Sequence, residues 1–246
     1  MSKKGMITAL TGAAAFVTFN LVMAGKKGNI GPFAFLHSWR PEIDKIKTTY
    51  KTDRQGEIIF YGASNFARWT EMEWDLREYR VQNHAFGGST DKDLVEYANE
   101  ILYPYQPNIV FFQTGSNDYV AIKGSDEEKI AQCMAYKKQM FATFHEHLPE
   151  AKFVVMSGLL LPGRKQYLNL TLRINEELKK YCDTLDYMYY VDANAMTYYG
   201  GMLDRTLFVK DMIHLNHEGQ LLWCRKYIRP MIEQLICEYG LESLRK

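Results

Sequence analysis

Four apolar runs and one weaker one, each ended by a turn and separated by stretches of helical spacing, constrain this chain most. Ile58-Ile59-Phe60-Tyr61 stops at Gly62, Asn108–Gln113 stops at Thr114-Gly115, and Phe153–Met156 leads into a glycine- and proline-bearing loop from Gly158 to Gly163. Tyr189–Val191 is a fourth, and Arg80–Ala85, ending at Phe86-Gly87-Gly88, is the weaker member. Short apolar runs of this kind read as strands buried on both faces. Between them, Arg68–Tyr79 carries Trp69, Met72 and Leu76 on one helical face. Asp91–Leu102 follows Ser89 or Thr90 as N-cap, and a long helix runs from Ser125 or Asp126 to about His147. Gln166–Cys182 and Gly219–Tyr239 complete the set. Repeated β-α-β units predict an α/β fold: a three-layer α/β/α sandwich on a mostly five-stranded parallel sheet, flavodoxin-like in type.

Composition agrees with a packed core, at 47% hydrophobic and 24% charged residues. A net charge of +1 gives no electrostatic footprint for nucleic acid. Cys133, Cys182, Cys224 and Cys237 form no Cys-x-x-Cys pair, so no zinc ribbon or thioredoxin motif is predicted. Neither Gly-x-Gly-x-x-Gly nor a P-loop pattern occurs, which weakens a nucleotide-binding reading.

The N-terminus differs from the rest. Residues 6–24 carry no charge and are flanked by Lys3-Lys4 and Lys26-Lys27. As a helix this stretch spans roughly 28 Å, enough for a bilayer core. Three readings stand: a cleaved signal peptide, a membrane anchor, or a soluble helix, the last suggested by Thr8, Thr11, Thr18 and Asn20. The first two predict an extracytoplasmic, secreted or membrane-anchored protein with membrane association through residues 6–24. The third leaves it cytoplasmic. The expected partition is an N-terminal segment at 1–25, a connector with one short helix at 26–55, and the main domain at 56–246.

In open parallel sheets, ligands bind at the carboxyl ends of the strands. Three polar clusters fall at such positions, and a fourth lies further along the chain. Gly62-Ala63-Ser64-Asn65 puts a hydroxyl on a strand-to-helix turn, as either an N-cap or a nucleophile beside helix N–H groups. It is not a Gly-x-Ser-x-Gly elbow, since Phe66 fills the second glycine position. Phe86-Gly87-Gly88-Ser89-Thr90 is either a capped turn or a place where a Gly88 N–H can approach a substrate. Gly115-Ser116-Asn117-Asp118 offers a side-chain amide for a developing oxyanion, or a plain turn pair. Asp211-Met212-Ile213-His214 spaces a carboxylate to orient an imidazole, or forms a surface pair. His37, His84, His145, His147 and His217 have no comparable companion and read as structural or solvated.

Taken in this order, the four clusters resemble the blocks of the SGNH/GDSL hydrolase superfamily, over roughly Glu57 to Tyr239. The resemblance implies Ser64 as nucleophile, His214 as base and Asp211 as its orienting acid. It implies oxyanion donors at the Ser64 N–H, the Gly88 N–H and the Asn117 side chain, with Gly87 the poorer candidate. Ala63 stands where the first block usually has Asp, which is similar to the platelet-activating-factor-acetylhydrolase-like branch. The implied activity is hydrolysis of carboxylic esters through an acyl-enzyme, on an acetylated carbohydrate, a short acyl ester or a lysolipid, with no metal or organic cofactor. The alternative is a catalytically silent carbohydrate- or lipid-binding protein on the same fold. The loops Gly158–Gln166 and Asn194–Asp211 are expected to choose the substrate, from their positions after strands.

Overall fold

The computed structural model describes residues 38–246. The predicted apolar segment at 6–24 and the first part of the predicted connector lie outside the described residues. The rest of that connector supplies helix α1 (Arg40–Thr49), whose Ile43 and Ile46 are buried. The following turn is tied to the domain by Tyr105, whose hydroxyl donates to the Tyr50 carbonyl at 2.7 Å.

Strands β1 (Ile58–Gly62), β2 (Val81–Asn83), β3 (Ile109–Gln113), β4 (Lys152–Met156) and β5 (Met188–Val191) form one sheet in the order β2-β1-β3-β4-β5. Every pairing is parallel, with Phe60 opposite both Asn83 and Phe111, and Val155 opposite both Phe112 and Tyr190. This is the flavodoxin-like order, and its switch point lies between β1 and β3. The crossover elements are α2 (Ser64–Ala67), α3 (Met72–Asp75), α4 (Asp91–Ile101), α5 (Ser116–Ala121), α6 (Asp126–His147) and α7 (Leu168–Cys182), and α8 (Asn194–Thr197), α9 (His217–Trp223) and α10 (Arg229–Tyr239) follow the last strand.

Because side chains alternate across a strand, the sheet has two apolar faces. Ile58, Phe60, Ile109, Phe111, Val154 and Met156 face Phe66, Trp69, Trp223, Ile228, Ile232 and Leu235. On the opposite face Tyr61 and Phe112 meet Phe141, Phe144 and Phe153 at ring separations of 5.2–6.0 Å. Local signals set several helix starts. Thr90 opens α4, with its N–H and hydroxyl both donating to Asp93 Oδ2. Ser125 and Glu128 bond reciprocally at the start of α6.

Two predicted helices are broken. Trp69, Met72 and Leu76 are all buried as their spacing requires, but Arg68–Tyr79 is not one helix. The Phe66 carbonyl accepts from Asn83 Nδ2 at 2.8 Å, and Trp69 Nε1 donates to Asp75 Oδ2 at 2.7 Å. These tertiary bonds bend the segment into separate turns. In the closing helix, Cys224–Ile228 forms a π-turn just before Pro230, which has no N–H to continue the regular ladder. A short hairpin, β6 (Tyr198–Tyr199) and β7 (Met202–Leu203), turns on Gly200-Gly201 and was not anticipated. Among the described residues no helix is long and apolar enough to cross a membrane.

Candidate active site

The four sequence clusters sit at the carboxyl edge of the sheet. Ser64 follows β1, Gly88 follows β2, Asn117 follows β3, and Asp211 and His214 lie in the long connection after β5. This edge flanks the β1/β3 switch point, where parallel sheets open a crevice.

The turn at Ser64 begins with a close approach of two strands. A Cβ on Gly62 would stand 2.3 Å from the Gln113 carbonyl oxygen of β3, so a larger residue would push the strands apart. Ala63 remains extended and occupies the N-cap position. Ser64 is therefore the first helical residue rather than the cap. Its hydroxyl donates to His214 Nε2 at 2.8 Å, across 150 positions of sequence.

His214 is held from behind. Its Nδ1–H donates to Asp211 Oδ2 at 2.7 Å, while the Ile213 and His214 N–H groups donate to Asp211 Oδ1 at 2.9 and 3.0 Å. A carboxylate only accepts, so this arrangement puts the proton on Nδ1 and the lone pair on Nε2, toward Ser64. Burial pushes the Asp211 carboxyl up, but these bonds outweigh it and hold the group at about 2. Burial lowers the His214 pKa from 6.5; the Asp211 hydrogen bond and charge oppose this, and Arg68 and Arg164 lower it further. Arg68 lies 3.4 Å from Asp211 Oδ2. Between Asp211 and His214, Met212 adopts a left-handed conformation at φ 60°, and its carbonyl accepts from Gly163 N–H at 2.7 Å.

The second and third clusters join the first through a short chain of contacts. A methyl group added to Gly87 would lie 3.9 Å from Ser64 Cβ, so this turn rests against the serine. Gly88 has φ +87°, a conformation that L side chains rarely adopt. Among the described residues the N–H groups of Ser64 and Gly88 have no hydrogen-bond partner. Asn117 is buried, and its Nδ2 donates to the Ser89 carbonyl at 2.9 Å. That bond uses one of the two Nδ2 hydrogens. The structure thus gathers Ser64, His214 and Asp211 by direct hydrogen bonds, and sets Gly88 and Asn117 on either side of Ser89.

Three features around the site were missed. Asn65 is buried, and its Oδ1 accepts from Leu215 N–H at 3.1 Å, fastening the residue after His214 to the residue after Ser64. Arg164, in a loop predicted only to choose substrate, is buried and reaches Ser116 and Asn117. Beneath the Asn117 turn, Lys137 and Asp91 pair at 3.1 Å with side chains 1% exposed. Thr114 Oγ1 donates to Asp91 at 2.7 Å, and Asp118 accepts from Asp91 N–H at 3.0 Å. The sequence carries no local sign of this cluster, because a lysine within a helix and an acid at a helix start both read as solvated.

The other described histidines stand apart. His84 is buried, hydrogen-bonded to Gln82, and pushed down to about 4 by burial, which keeps it neutral. His217 bonds Asp75 at 3.0 Å, and His145 and His147 stack on Tyr187 and Tyr103. His37 lies outside the described residues.

Solved structures share this architecture at low identity. A Streptococcus pneumonia protein provisionally named as a platelet activating factor aligns with a TM-score of 0.62 and 17% identity, over 86% of this chain and 99% of its own. A GDSL-like lipase from Bacteroides thetaiotaomicron gives 0.58 and 16%, over 80% of this chain and 96% of its own. A catalytic mutant of an acetylxylan esterase from Geobacillus stearothermophilus gives 0.53 and 15%, over 70% and 92%. No curated protein sequence matches the chain. The family model described as GDSL-like Lipase/Acylhydrolase matches residues 65–226, starting one residue past Ser64 and taking in the Gly88, Asn117 and His214 clusters. With about two thirds of its length inside that match, the chain belongs to the GDSL-like lipase/acylhydrolase family and is a carboxylic ester hydrolase of the SGNH type.

Proposed function

We propose that Ser64 is the nucleophile of this ester hydrolase, with His214 as general base and Asp211 as the group that orients it. The observation that carries the reading is the unbroken relay from Ser64 Oγ to His214 Nε2 at 2.8 Å and from His214 Nδ1 to Asp211 Oδ2 at 2.7 Å. Ser64 Oγ attacks the ester carbonyl while His214 Nε2 takes its proton. The N–H groups of Ser64 and Gly88 and the second Asn117 Nδ2 hydrogen bind the oxyanion. The intermediate collapses, His214 protonates the departing alkoxide, and the acyl group stays on Ser64. Water then gives one proton to His214 and attacks the acyl-enzyme, the second tetrahedral intermediate collapses, His214 returns that proton to Ser64 Oγ, and the acid leaves.

The substrate is an acetylated carbohydrate, another short acyl ester or a lysolipid. The acetylxylan esterase among the structural neighbours supports the first of these. Exposed Tyr199 and Met202, on the hairpin between β5 and the His214 loop, suit a sugar or an acyl chain. We place the enzyme outside the cytoplasm, secreted or anchored through residues 6–24, on the strength of that uncharged stretch and its flanking lysines.

The test is an ester panel of acetylated sugars, aryl esters of rising chain length and lysolipids, run on the native chain and on Ser64→Ala. Turnover is expected for one class and should be lost in the variant. Full activity in Ser64→Ala would refute the assignment. A fluorophosphonate probe that leaves Ser64 unlabelled would instead favour a silent binding protein.

A further inference from the structure

We infer that Arg164 is a positioning residue of the oxyanion hole: it clamps the acceptor end of the Asn117 amide, so that the donor end faces the substrate. The inference rests on the reading of Asn117 as an oxyanion donor.

A side-chain amide has two nearly isosteric ends, one donating and one accepting. Only the donating end can stabilise an oxyanion. The two neighbours of the Asn117 amide are of opposite kind. The Ser89 carbonyl only accepts, and takes an Nδ2 hydrogen at 2.9 Å. The Arg164 guanidinium only donates, and its Nη2 reaches Asn117 Oδ1 at 3.4 Å. Turning the amide over would set oxygen against oxygen at Ser89 and N–H against N–H at Arg164.

The guanidinium is itself fixed. Its Nη1 donates to both the carbonyl and the hydroxyl of Ser116, each at 2.8 Å, so one side chain grips two successive residues of the β3–α5 turn. On the other side, Gly163 N–H bonds the Met212 carbonyl, and a Cβ on Gly163 would stand 2.7 Å from the Asp211 carbonyl oxygen. The loop that carries Arg164 is therefore packed against the acid–base segment. Arg164 is only 4% exposed, and no carboxylate forms an ion pair with it among the described residues. Burying an unpaired cation is costly. The cost is consistent with a guanidinium kept for what it positions rather than for stability.

The test is a double-mutant cycle on the full chain, with p-nitrophenyl acetate as substrate and variants Arg164→Met, Asn117→Ala and the pair. Arg164→Met is expected to lower kcat about 10- to 100-fold with KM changed less than about threefold. In the Asn117→Ala background the same substitution should lower kcat less than about threefold, because the group it positions is gone. The acid limb of the pH–rate profile should move to higher pH in Arg164→Met. Of the charged groups facing His214, namely Asp211, Arg68 and Arg164, the variant removes one that lowers its pKa. If Arg164→Met does not unfold cooperatively, Arg164→Lys replaces it in the same cycle, since one ammonium cannot reproduce the fork across Ser116 and Asn117.

An equal loss of kcat in both backgrounds would overturn the inference and leave the oxyanion role of Asn117 standing. An Asn117→Ala enzyme with full kcat would overturn that role and the inference with it.

Discussion

Leu215 N–H donates to Asn65 Oδ1 at 3.1 Å, so the residue after the proposed base is pinned to the residue after the proposed nucleophile. The bond crosses 150 positions of sequence, as does the one from Ser64 to His214 that it runs beside. Such a brace fixes the distance over which the proton moves without touching the proton. Asn65→Leu is expected to lower kcat by about 10-fold, through looser alignment. The unpaired Leu215 N–H should cost about 1–3 kcal/mol of stability. Ester kinetics and urea unfolding on the same preparation check both parts.

The pH dependence follows from the surroundings of His214. The proposed base works when neutral, so kcat/KM should rise with pH and level off. Burial, with help from Arg68 and Arg164, lowers the His214 pKa, so the rise should be centred below the ordinary histidine value of about 6.5. Arg68→Met removes one positive charge near the ring, so the limb should shift upward. Arg68 is more than half exposed, so added salt should shrink the shift. Asp211→Asn leaves no obligate acceptor for Nδ1–H and should cost about 10³- to 10⁴-fold in kcat.

Gly88 holds a left-handed turn with open space where a side chain would go. Gly88→Ala therefore meets no clash, only backbone strain, expected at about 1–2 kcal/mol. Relief of that strain turns the N–H away from the substrate. A kcat loss of about 100-fold with a small change in Tm is expected. Activity unchanged in a folded Gly88→Ala enzyme would remove this N–H from the oxyanion hole.

The buried Lys137–Asp91–Asp118 cluster supports the Asn117 turn from below. Lys137→Met strips the counter-charge from two buried carboxyls and should destabilise the protein by about 3–5 kcal/mol, read by urea unfolding at pH 7. Burial, and then the charge of Asp91, raise the Asp118 pKa above the ordinary 3.8. The folded state thus binds a proton that the unfolded state has released, and stability falls as pH rises through that window. Asp118→Asn should flatten this fall, and a pH series of unfolding midpoints measures it.

Much of the architecture was legible in the chain itself. The apolar runs at Ile58–Tyr61, Asn108–Gln113 and Phe153–Met156 lie within a residue of the strands they form, because a strand buried on both faces has few other ways to cover its side chains. Thr90 and Ser125 marked their helix starts through capping chemistry that acts within four residues. Ser64, Gly88 and Asn117 could be picked out because each sits on a turn after a strand, Asp211 and His214 because of their spacing, and the order of the set matched a known set of blocks.

What the tertiary structure alone decided has no local signature. Arg164 and Lys137 are buried charges whose partners come from other segments, and a single sequence marks an arginine in a loop or a lysine in a helix as solvated. Asn65 holds the Leu215 N–H of a distant loop, and Asn83 holds the Phe66 carbonyl beside the segment that helical spacing would have made one continuous helix. Hydrophobic periodicity reports which side of an element turns inward, since that depends on neighbours a few residues away. Polar pairing inside the core depends on which distant loops meet, and only the folded chain brings those loops together.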